Sequence, residues 1–178
     1  MIAKKLLVVV DYQRDFVDGT LGFEAAKLLE DPICERVSEY YANGSDVVFT
    51  MDTHEQKYLL TNEGKHLPVK HCIKGTPGWE LYGKLGRIAR EEKMLRKPTF
   101  ASMELARYIQ ENGPFSTIEL CGVVSNICVV SNAVIAKAAS PESEIIINKR
   151  LIASPDEEME NKALDLLENL HTTVIGRD

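Results

Sequence analysis

The residue best placed to do chemistry in this chain is Cys128. An apolar, β-branched run ends at Gly122, a tight turn follows, and a helical apolar pattern begins near Asn126. Cys128 is therefore predicted in the first turn of a helix, at the carboxyl end of a buried strand. The helix dipole and unpaired backbone N–H groups stabilise negative charge there, so we expect the thiol to ionise near neutral pH. The same N–H groups could bind an oxyanion. A random cysteine is more often a packed core residue, but this position favours a nucleophile.

Two charged residues also stand where predicted strands end. Asp11 closes the apolar run 6–10, in which a carboxylate is costly unless it is paired or hydrated. Lys97 follows a short strand, and its ammonium would keep a nearby carboxylate ionised and favour a thiolate. Each has an ordinary explanation, Asp11 as a cap and Lys97 as a solvated surface charge. Together with Cys128 they would supply a nucleophile, a proton acceptor and a charge that tunes both.

A second set of residues has the composition of a metal site. Asp52 and His54 end another predicted strand and lie on one side of an extended backbone, and His71 follows later in the same loop. A carboxylate with two imidazoles suits zinc, manganese or iron, with positions left open for water or substrate. The pattern Asp-x-His is weak alone, because a surface loop can hold histidines by chance. Further candidates in this loop are Glu63 and His66, while Cys72 is interpreted as a small packed residue.

Short apolar runs that alternate with helical patterns would position these residues. Continuous Leu, Ile and Val runs predict strands that are buried on both faces, and hence a parallel sheet. The carboxyl ends of such strands share one edge, where ligands bind. The predicted strands are Lys5–Asp11, Asp46–Met51, Lys93–Arg96, Thr117–Gly122, Glu144–Asn148 and Thr172–Ile175. The predicted helices are Phe23–Ala42, Met103–Asn112, Ile127–Ala139 and Pro155–Leu170.

Two further segments carry predictions of their own. Asp52–Gly78 is long, polar and weakly periodic, and loops of this length inside a compact domain are usually functional or disordered. Its three histidines favour a functional loop. The acidic stretch Asp156–Glu160 follows Ser154 and Pro155, which predict a helix start, and is interpreted as the solvated first turn of that helix.

Bulk composition limits the possible functions. A chain of 178 residues suits one domain spanning 1–178, and a net charge of -6 argues against nucleic acid or an anionic membrane as the main partner. No apolar stretch reaches membrane-spanning length and the N-terminus does not resemble a signal peptide, so a cytoplasmic location is expected. The four cysteines are scattered, which predicts neither a disulfide framework nor a zinc ribbon.

Five motifs in order make the sequence resemble the isochorismatase-like cysteine hydrolases, and most of all their nicotinamidase-related branch. The resemblance spans nearly the whole chain. The common Thr-Asp before the nucleophile region is Ser125-Asn126 here, and the aromatic wall before the last metal histidine is replaced by Leu67-Pro68. The motifs are Asp11-x-Gln13-x-Asp15-Phe16, Asp52-Thr-His54, His71-Cys-Ile-Lys-Gly75-Thr-x-Gly78, Lys97-Pro-Thr-Phe100 and Gly122-Val-Val-Ser-Asn-Ile-Cys128.

The resemblance implies a three-layer α/β sandwich with a central, mostly parallel six-stranded sheet, and commonly a homo-oligomer. It implies Cys128 as nucleophile, Asp11 as general base and Lys97 as the third catalytic member. A cis peptide would join Val123 and Val124, and the Val124 N–H would point at the oxyanion. Phe16 would line the substrate pocket. A divalent metal, zinc with manganese or iron as alternatives, would bind Asp52, His54, His71 and, in some members, a glutamate that Glu63 resembles; no organic cofactor is implied.

These expectations lead to a small amide as substrate, hydrolysed at its C–N bond through a thioester. Two alternatives stay open at this stage. The first is a vinyl ether hydrolase of the isochorismatase type, which needs no metal. The second, from a different class, is a non-catalytic binding protein or thiol sensor that has kept the fold.

Overall fold

The computed structural model describes residues 4–177, apart from the side chain of Glu92. Six strands form one sheet in the order β3-β2-β1-β4-β5-β6, and each pair of neighbours is parallel. The predicted six-stranded parallel sheet is therefore confirmed. The strands are β1 (Lys5–Val10), β2 (Asp46–Asp52), β3 (Met94–Lys97), β4 (Thr117–Val123), β5 (Glu144–Ala153) and β6 (Thr173–Ile175).

Helices cover both faces of the sheet and make the three layers. Along β1, Leu7 and Val9 join one buried apolar cluster while Leu6, Val8 and Val10 join the other, so the strand is buried on both faces. The first cluster includes side chains of α1–α3 and α5, and the second those of α6–α8. The helices are α1 (Arg14–Val17), α2 (Glu24–Lys27), α3 (Glu30–Ala42), α4 (Asn62–His66), α5 (Leu85–Ile88), α6 (Met103–Asn112), α7 (Val130–Ala139) and α8 (Glu157–Asn169).

The predicted helix Phe23–Ala42 is in fact two helices, α2 and α3, separated at Leu28 and Leu29. Pro32 explains the break. It has no N–H to donate to the Leu28 carbonyl, and its ring would collide with that carbonyl in a continuous helix. Proline is tolerated in the first turn of α3, where N–H groups lack partners within the helix.

Strand β5 is longer than its predicted range Glu144–Asn148. The polar residues Asn148, Lys149 and Arg150 suggested an end, but the strand continues to Ala153 through a register shift opposite β4. This extension delivers Ser154 and the residues after it to the carboxyl edge of the sheet. The helix that follows begins at Glu157, with Asp156 rather than Ser154 as its cap, because Oδ1 of Asp156 accepts a hydrogen bond from the Met159 N–H.

Cys128 lies in a π-helical turn, Ser125–Val129, and α7 begins only at Val130. The Val129 N–H donates to the Val124 carbonyl at 3.2 Å, five residues back, which widens the turn. The prediction of a regular helix from Ile127 is therefore wrong in its first turn. Single π-helical turns are rare in proteins overall, and those that do occur are found frequently at functional sites.

The segment Asp52–Gly78 has little regular structure, as its composition predicted. It contains a 3-10 turn at Tyr58–Leu60 and the short helix α4, and a second 3-10 turn at Pro77–Trp79 begins at its end. Among residues 4–177, no helix combines the length and the apolar composition needed to cross a membrane. The first three residues, on which the expectation about a signal peptide partly depends, lie outside the described residues.

Candidate active site

Side chains from three strand ends meet at the carboxyl edge of the sheet and form what we call the Cys128 cluster: Asp11, Lys97 and Cys128. Nζ of Lys97 lies 2.6 Å from Oδ2 of Asp11 and 3.8 Å from Sγ of Cys128. All three residues are buried, with Asp11 and Lys97 at most 2% exposed. Asp11 comes directly after β1, Lys97 ends β3 and Cys128 follows β4, so the sheet order brings together residues that are far apart in the chain.

Asp11 and Lys97 are also held by groups outside the cluster. Oγ1 of Thr50 donates a 2.7 Å hydrogen bond to Oδ1 of Asp11, and Nζ of Lys97 donates to the Thr99 carbonyl at 2.9 Å. Asp11 has a φ of 46°, a left-handed conformation that non-glycine residues adopt infrequently. Its N–H donates to the Thr50 carbonyl at 3.2 Å, which ties that conformation to β2. Thr50 is a supporting residue that sequence reasoning missed.

Burial changes the acid–base picture that the sequence suggested. Desolvation raises the pKa of the Cys128 thiol well above its usual range, and the nearby Asp11 carboxylate raises it further, while Lys97 opposes both. Desolvation also raises the pKa of Asp11, again against the effect of Lys97. Burial thus opposes the ionisation that the sequence suggested for Cys128, whereas Lys97 favours it. Loss of the thiol proton is therefore easier when a neighbouring group accepts it.

The turn that carries Cys128 is fixed from two sides. Nδ2 of the buried Asn132 donates to the Cys128 carbonyl at 2.8 Å and to the Phe100 carbonyl at 3.0 Å. Oδ1 of Asn132 accepts from the Ser102 N–H at 2.9 Å, so this residue joins α7 to the segment that follows Lys97. The peptide bond between Val123 and Val124 is cis, as the resemblance implied.

A second group, which we call the carboxylate–histidine cluster, consists of Asp52, His54, Glu63 and His71. One ligand atom from each lies within 4.8 Å of the others. Oδ2 of Asp52 is 2.9 Å from Nε2 of His54 and 3.3 Å from Nε2 of His71. Oε1 of Glu63 is 3.5 Å and 3.7 Å from the same two nitrogens. The loop Asp52–Gly78 thus brings together the four residues that the sequence proposed as ligands.

The chemistry of this cluster fits a divalent cation. Nδ1 of His71 donates to the Val69 carbonyl at 2.8 Å, which leaves the Nε2 lone pair directed at the cluster. Nε2 of His54 and Oε2 of Glu63 are buried and make no hydrogen bond within the described residues. Burial lowers the pKa of His54, but Asp52 and Glu63 outweigh it and raise that pKa to about 9. This surplus of negative charge and free donor atoms is what a bound cation would balance.

Two other candidates from the loop stay outside the cluster. His66 is exposed, and its Nδ1 donates to the Asn62 carbonyl at 2.9 Å. Cys72 is fully buried in the apolar core, as interpreted from the sequence, and its N–H donates to Oδ2 of Asp15 at 2.7 Å. Gly78 packs against the same Asp15 carboxylate, and a Cβ at position 78 would collide with Oδ2 of Asp15. The Asp15 motif residue therefore supports the loop beside His71 rather than contributing a ligand.

Both clusters open into one cavity of about 350 Å³. Phe16 lines it as expected, with its ring 5.5 Å from that of His71. Its walls are mainly apolar, and its charged lining residues are the carboxylates Asp52, Glu63 and Asp156; no Lys or Arg is among the described lining residues. The complete lining is Phe16, Leu21, Asp52, Glu63, Leu67, His71, Phe100, Val124, Asn126, Ile127, Cys128, Ser154, Pro155 and Asp156.

The start of α8 contributes more to the site than the sequence suggested. Glu160 was interpreted as part of a solvated turn, but it is only 8% exposed and its Oε2 accepts a 2.7 Å hydrogen bond from Oγ of Ser125. Ser154 donates from Oγ to Oδ1 of Asn126 at 2.7 Å. The interpretation of Glu160 is therefore wrong, because its helical position turns it inward against the Cys128 turn. The helical spacing along α8 indicated this burial weakly, because Glu160 lies on the same face of the helix as the buried Ala163, Leu164 and Leu167.

Gln13 is another buried residue that supports the site, and the sequence motif included it without assigning it a role. Its Nε2 donates to the carbonyls of Asp52 at 2.9 Å and Trp79 at 2.8 Å, while its Oε1 accepts from the Asp52 N–H at 2.7 Å. Gln13 thereby fixes the end of β2, from which the carboxylate–histidine cluster begins.

Comparisons with known proteins agree on one family. The family model described as the isochorismatase domain matches residues 5–178. An uncharacterized isochorismatase family protein, PncA of Bacillus subtilis (strain 168), is 33% identical over 168 residues, covering 87% of this chain and 89% of the relative. A pyrazinamidase/nicotinamidase from Streptococcus mutans UA159 superimposes with a TM-score of 0.85 at 29% identity, covering 97% of this chain and 100% of that one. The nicotinamidase PncA structure from Bacillus subtilis has a TM-score of 0.85 at 28% identity, with 97% and 99% covered.

Proposed function

Because the chain belongs to the isochorismatase family, we propose that it is a cysteine hydrolase that cleaves the C–N bond of a small amide through a thioester. The observation that carries this proposal is the Cys128 cluster, in which the Lys97 ammonium lies 2.6 Å from the buried Asp11 carboxylate and 3.8 Å from the buried Cys128 sulfur. The solved relatives named as nicotinamidase or pyrazinamidase support a carboxamide on a small ring as the first substrate to test.

The acylation step uses the three side chains in turn. Asp11 accepts the proton of the Cys128 thiol, and the sulfur attacks the substrate carbonyl carbon. The backbone N–H groups of Val124 and Cys128 stabilise the oxyanion that forms. Lys97 compensates the charge as it moves from the carboxylate to the sulfur and then to the substrate oxygen. Ammonia or an amine leaves with the proton that Asp11 returns.

Deacylation reuses the same groups. Water approaches the thioester from the cavity, Asp11 removes its proton, and the tetrahedral intermediate collapses to release the acid and the Cys128 thiol. A buried carboxylate with a raised pKa suits both directions of proton transfer, because it holds a proton more readily than a solvated aspartate does.

The carboxylate–histidine cluster would hold a divalent ion, for which zinc is our first proposal and manganese or iron the alternatives. Asp52, His54, Glu63 and His71 would provide the ligands. When bound, the ion would attract an electron-rich group of the substrate or orient water. The protein's own part is to fix the ligand orientations through Gln13 and the Val69 carbonyl, as described above.

The cavity lining bears on the vinyl ether alternative. Isochorismate carries carboxylates, whereas the charged lining residues are the acidic Asp52, Glu63 and Asp156. With Asp52 and Glu63 as ligands of the proposed ion, Asp156 is the carboxylate that keeps its full charge, and no Lys or Arg among the described lining residues would pair with an anionic substrate. The lining supports an uncharged amide over that alternative for this reason. The third possibility, a thiol sensor or binding protein, would not need the Asp11–Lys97 pair beside the sulfur.

We also propose that the protein assembles as a homo-oligomer. Two apolar side chains that line the cavity, Phe100 and Ile127, are 43% and 39% exposed, and Met103 at the start of α6 is 71% exposed. Light scattering in solution tests this: a mass of one chain of 19.9 kDa would contradict the proposal.

The proposed reaction is tested with Cys128→Ala. Wild-type protein should release ammonia from nicotinamide or pyrazinamide, or from another member of a panel of small amides, in the presence of zinc or manganese. The variant should lose all measurable turnover, since no other nucleophile lies in the Cys128 cluster. Mass spectrometry of wild-type protein quenched during turnover should detect the acyl adduct on Cys128.

Cys121→Ala is a matched control, because Cys121 is buried in β4 and takes no part in the cluster. It should keep its activity if it folds, which circular dichroism verifies. Ammonia release that survives Cys128→Ala, or isochorismate cleavage without any amidase activity, would refute the proposed function.

A further inference from the structure

We propose that Asn126 is a specificity-determining residue whose side-chain amide binds a second carbonyl oxygen of the substrate, so that uncharged small diamides are preferred over monoamides of the same length. This inference rests on the proposed amide hydrolysis and adds the class of amide. It arises from the wall of the cavity opposite the carboxylate–histidine cluster, to which no role has yet been given.

The orientation of Asn126 is fixed by its neighbours. Oγ of Ser154 accepts a 3.0 Å hydrogen bond from the Asp156 N–H and donates its own proton to Oδ1 of Asn126 at 2.7 Å. The oxygen of the side-chain amide is thus occupied. Its Nδ2 group has no protein partner among residues 4–177, and Asn126 is half-buried and lines the cavity. The wall therefore presents an oriented N–H donor without an acceptor.

The donor lies beside the nucleophile, on the side away from the carboxylate–histidine cluster. Asn126 is two residues before Cys128 in the turn that follows β4, and Ser154, its hydrogen-bond partner, follows the neighbouring strand β5. Asp52 lies on the other side, at the end of β2, with β1 between β2 and β4. Asn126 and Cys128 line the same cavity, so a small substrate whose reacting carbonyl lies at Cys128 can present a second carbonyl to Asn126.

The chemistry of the wall selects the group that Asn126 would bind. A free N–H donor requires an acceptor, and the nearby Asp156 carboxylate disfavours a negatively charged one. An uncharged carbonyl oxygen meets both conditions. A monoamide that lacks it would leave the Asn126 donor in the cavity without a partner, which is the situation in which enzymes discriminate most strongly.

Asn126→Asp tests the inference because it keeps the shape and the acceptor for Ser154 but replaces the free donor by an acceptor. The substrates are matched pairs of equal length: malonamide with butyramide, and succinamide with pentanamide. The ratio of kcat/KM for diamide over monoamide should fall about tenfold in the variant, as expected for one lost hydrogen bond. Most of the fall in this ratio should appear in KM for the diamide.

Two further variants separate orientation from charge. Ser154→Ala leaves the donor in place but frees it to rotate, so the ratio should fall by a smaller factor of about two to five. Asn43→Asp adds the same charge at an exposed turn between α3 and β2, remote from the cavity, and should leave the ratio unchanged. A ratio that falls equally in Asn43→Asp would assign the effect to net charge and overturn the inference.

Binding measured without turnover keeps the two proposals distinguishable. In a Cys128→Ser background, calorimetric titration with each pair should show tighter diamide binding, and Asn126→Asp should remove that preference. If wild-type protein hydrolyses none of the amides, the proposed function fails but the binding preference still decides the role of Asn126. Equal affinity for diamide and monoamide, or a preference that survives Asn126→Asp, overturns the inference whether or not the protein is an amidase.

Discussion

The Cys128 cluster and the carboxylate–histidine cluster lie side by side, but they balance charge in different ways. In the Cys128 cluster, Lys97 supplies a cation 2.6 Å from the Asp11 carboxylate. The carboxylate–histidine cluster has two carboxylates and two imidazoles, and no Lys or Arg is among its four members. The Cys128 cluster thus contains its own cation, whereas we propose that the carboxylate–histidine cluster takes up a divalent ion.

Asp52 connects the two clusters. Its Oδ1 lies 3.4 Å from Nζ of Lys97, and its Oδ2 lies 2.9 Å from Nε2 of His54. One carboxylate thus faces a permanent cation on one side and a proposed metal on the other. The difference between the clusters can therefore be tested by perturbing each separately and asking whether the effect stays local.

The largest effect is expected from Asp11→Asn, which removes the proton acceptor but keeps the shape of the side chain. The rate of ammonia release should fall by about a hundredfold to ten-thousandfold, the usual contribution of a general base. Metal content measured by mass spectrometry should not change, because Asp11 is not a ligand. A loss of bound metal equal to that of a ligand variant would contradict the separation of the clusters.

Lys97→Met should be the most destabilising change in the Cys128 cluster, because it leaves the buried Asp11 without its cation. The free energy of unfolding from urea titration should fall by about 3–5 kcal/mol at neutral pH. The folded state already holds the Asp11 proton more tightly than the unfolded chain, and the variant should do so more strongly. Part of the stability should therefore return below about pH 4, the pKa of unfolded aspartate, and be lost as pH rises through the folded pKa. A pH-independent loss would show that Asp11 is not the group left uncompensated.

Metal removal should affect stability less than Lys97→Met does. After chelation, zinc added at a hundred times its dissociation constant should stabilise the protein by about 2.7 kcal/mol and raise Tm by about 5–10 °C. His71→Ala should abolish this rise, whereas Asp11→Asn should retain it. The absence of any rise with zinc, manganese or iron would rule out the proposed metal site.

Glu63→Gln should have the smallest effect of the four. Glu63 has the most exposed side chain in its cluster, at 15%, so solvent screens its charge more than that of Asp52. Affinity for the ion, measured by chelator competition, should fall about tenfold, against a larger loss for Asp52→Asn. Glu104→Gln, an exposed change at the start of α6, is the control and should have no effect. Equal losses in the Glu63 and Glu104 variants would remove Glu63 from the ligand set.

The same two clusters show how far sequence reasoning extends. Asp11, Asp52, Lys97 and Cys128 could each be assigned to a strand end, because continuous apolar runs stop there and parallel strands share their carboxyl edge. The structure brings these residues together as that reasoning expected. The prediction of a parallel sheet was thus the most informative one, because the edge at which the strands end follows once the strands are known to be parallel.

Other features were missed because they depend on contacts across the chain. The extension of β5 past Asn148 is stabilised by pairing with β4, and the local sequence pattern does not indicate it. Glu160 was wrongly predicted to be solvated because acidic residues in the first turn of a helix usually face water. Its burial becomes evident only from its hydrogen bond with Ser125 in the folded chain. The break before α3, by contrast, could have been recognised from Pro32, whose missing N–H is a local property.

Residue type, apolar periodicity and chain order were sufficient to predict six parallel strands, the edge at which they end and the reactive side chains there, because these depend on short-range sterics and on burial of apolar surface. The pKa of Cys128, the support given by Thr50, Gln13 and Asn132, and the free donor of Asn126 required the folded chain. Each depends on how completely water is excluded and on which distant polar atom lies within hydrogen-bonding distance. Those quantities exist only after the sheet and its loops have packed.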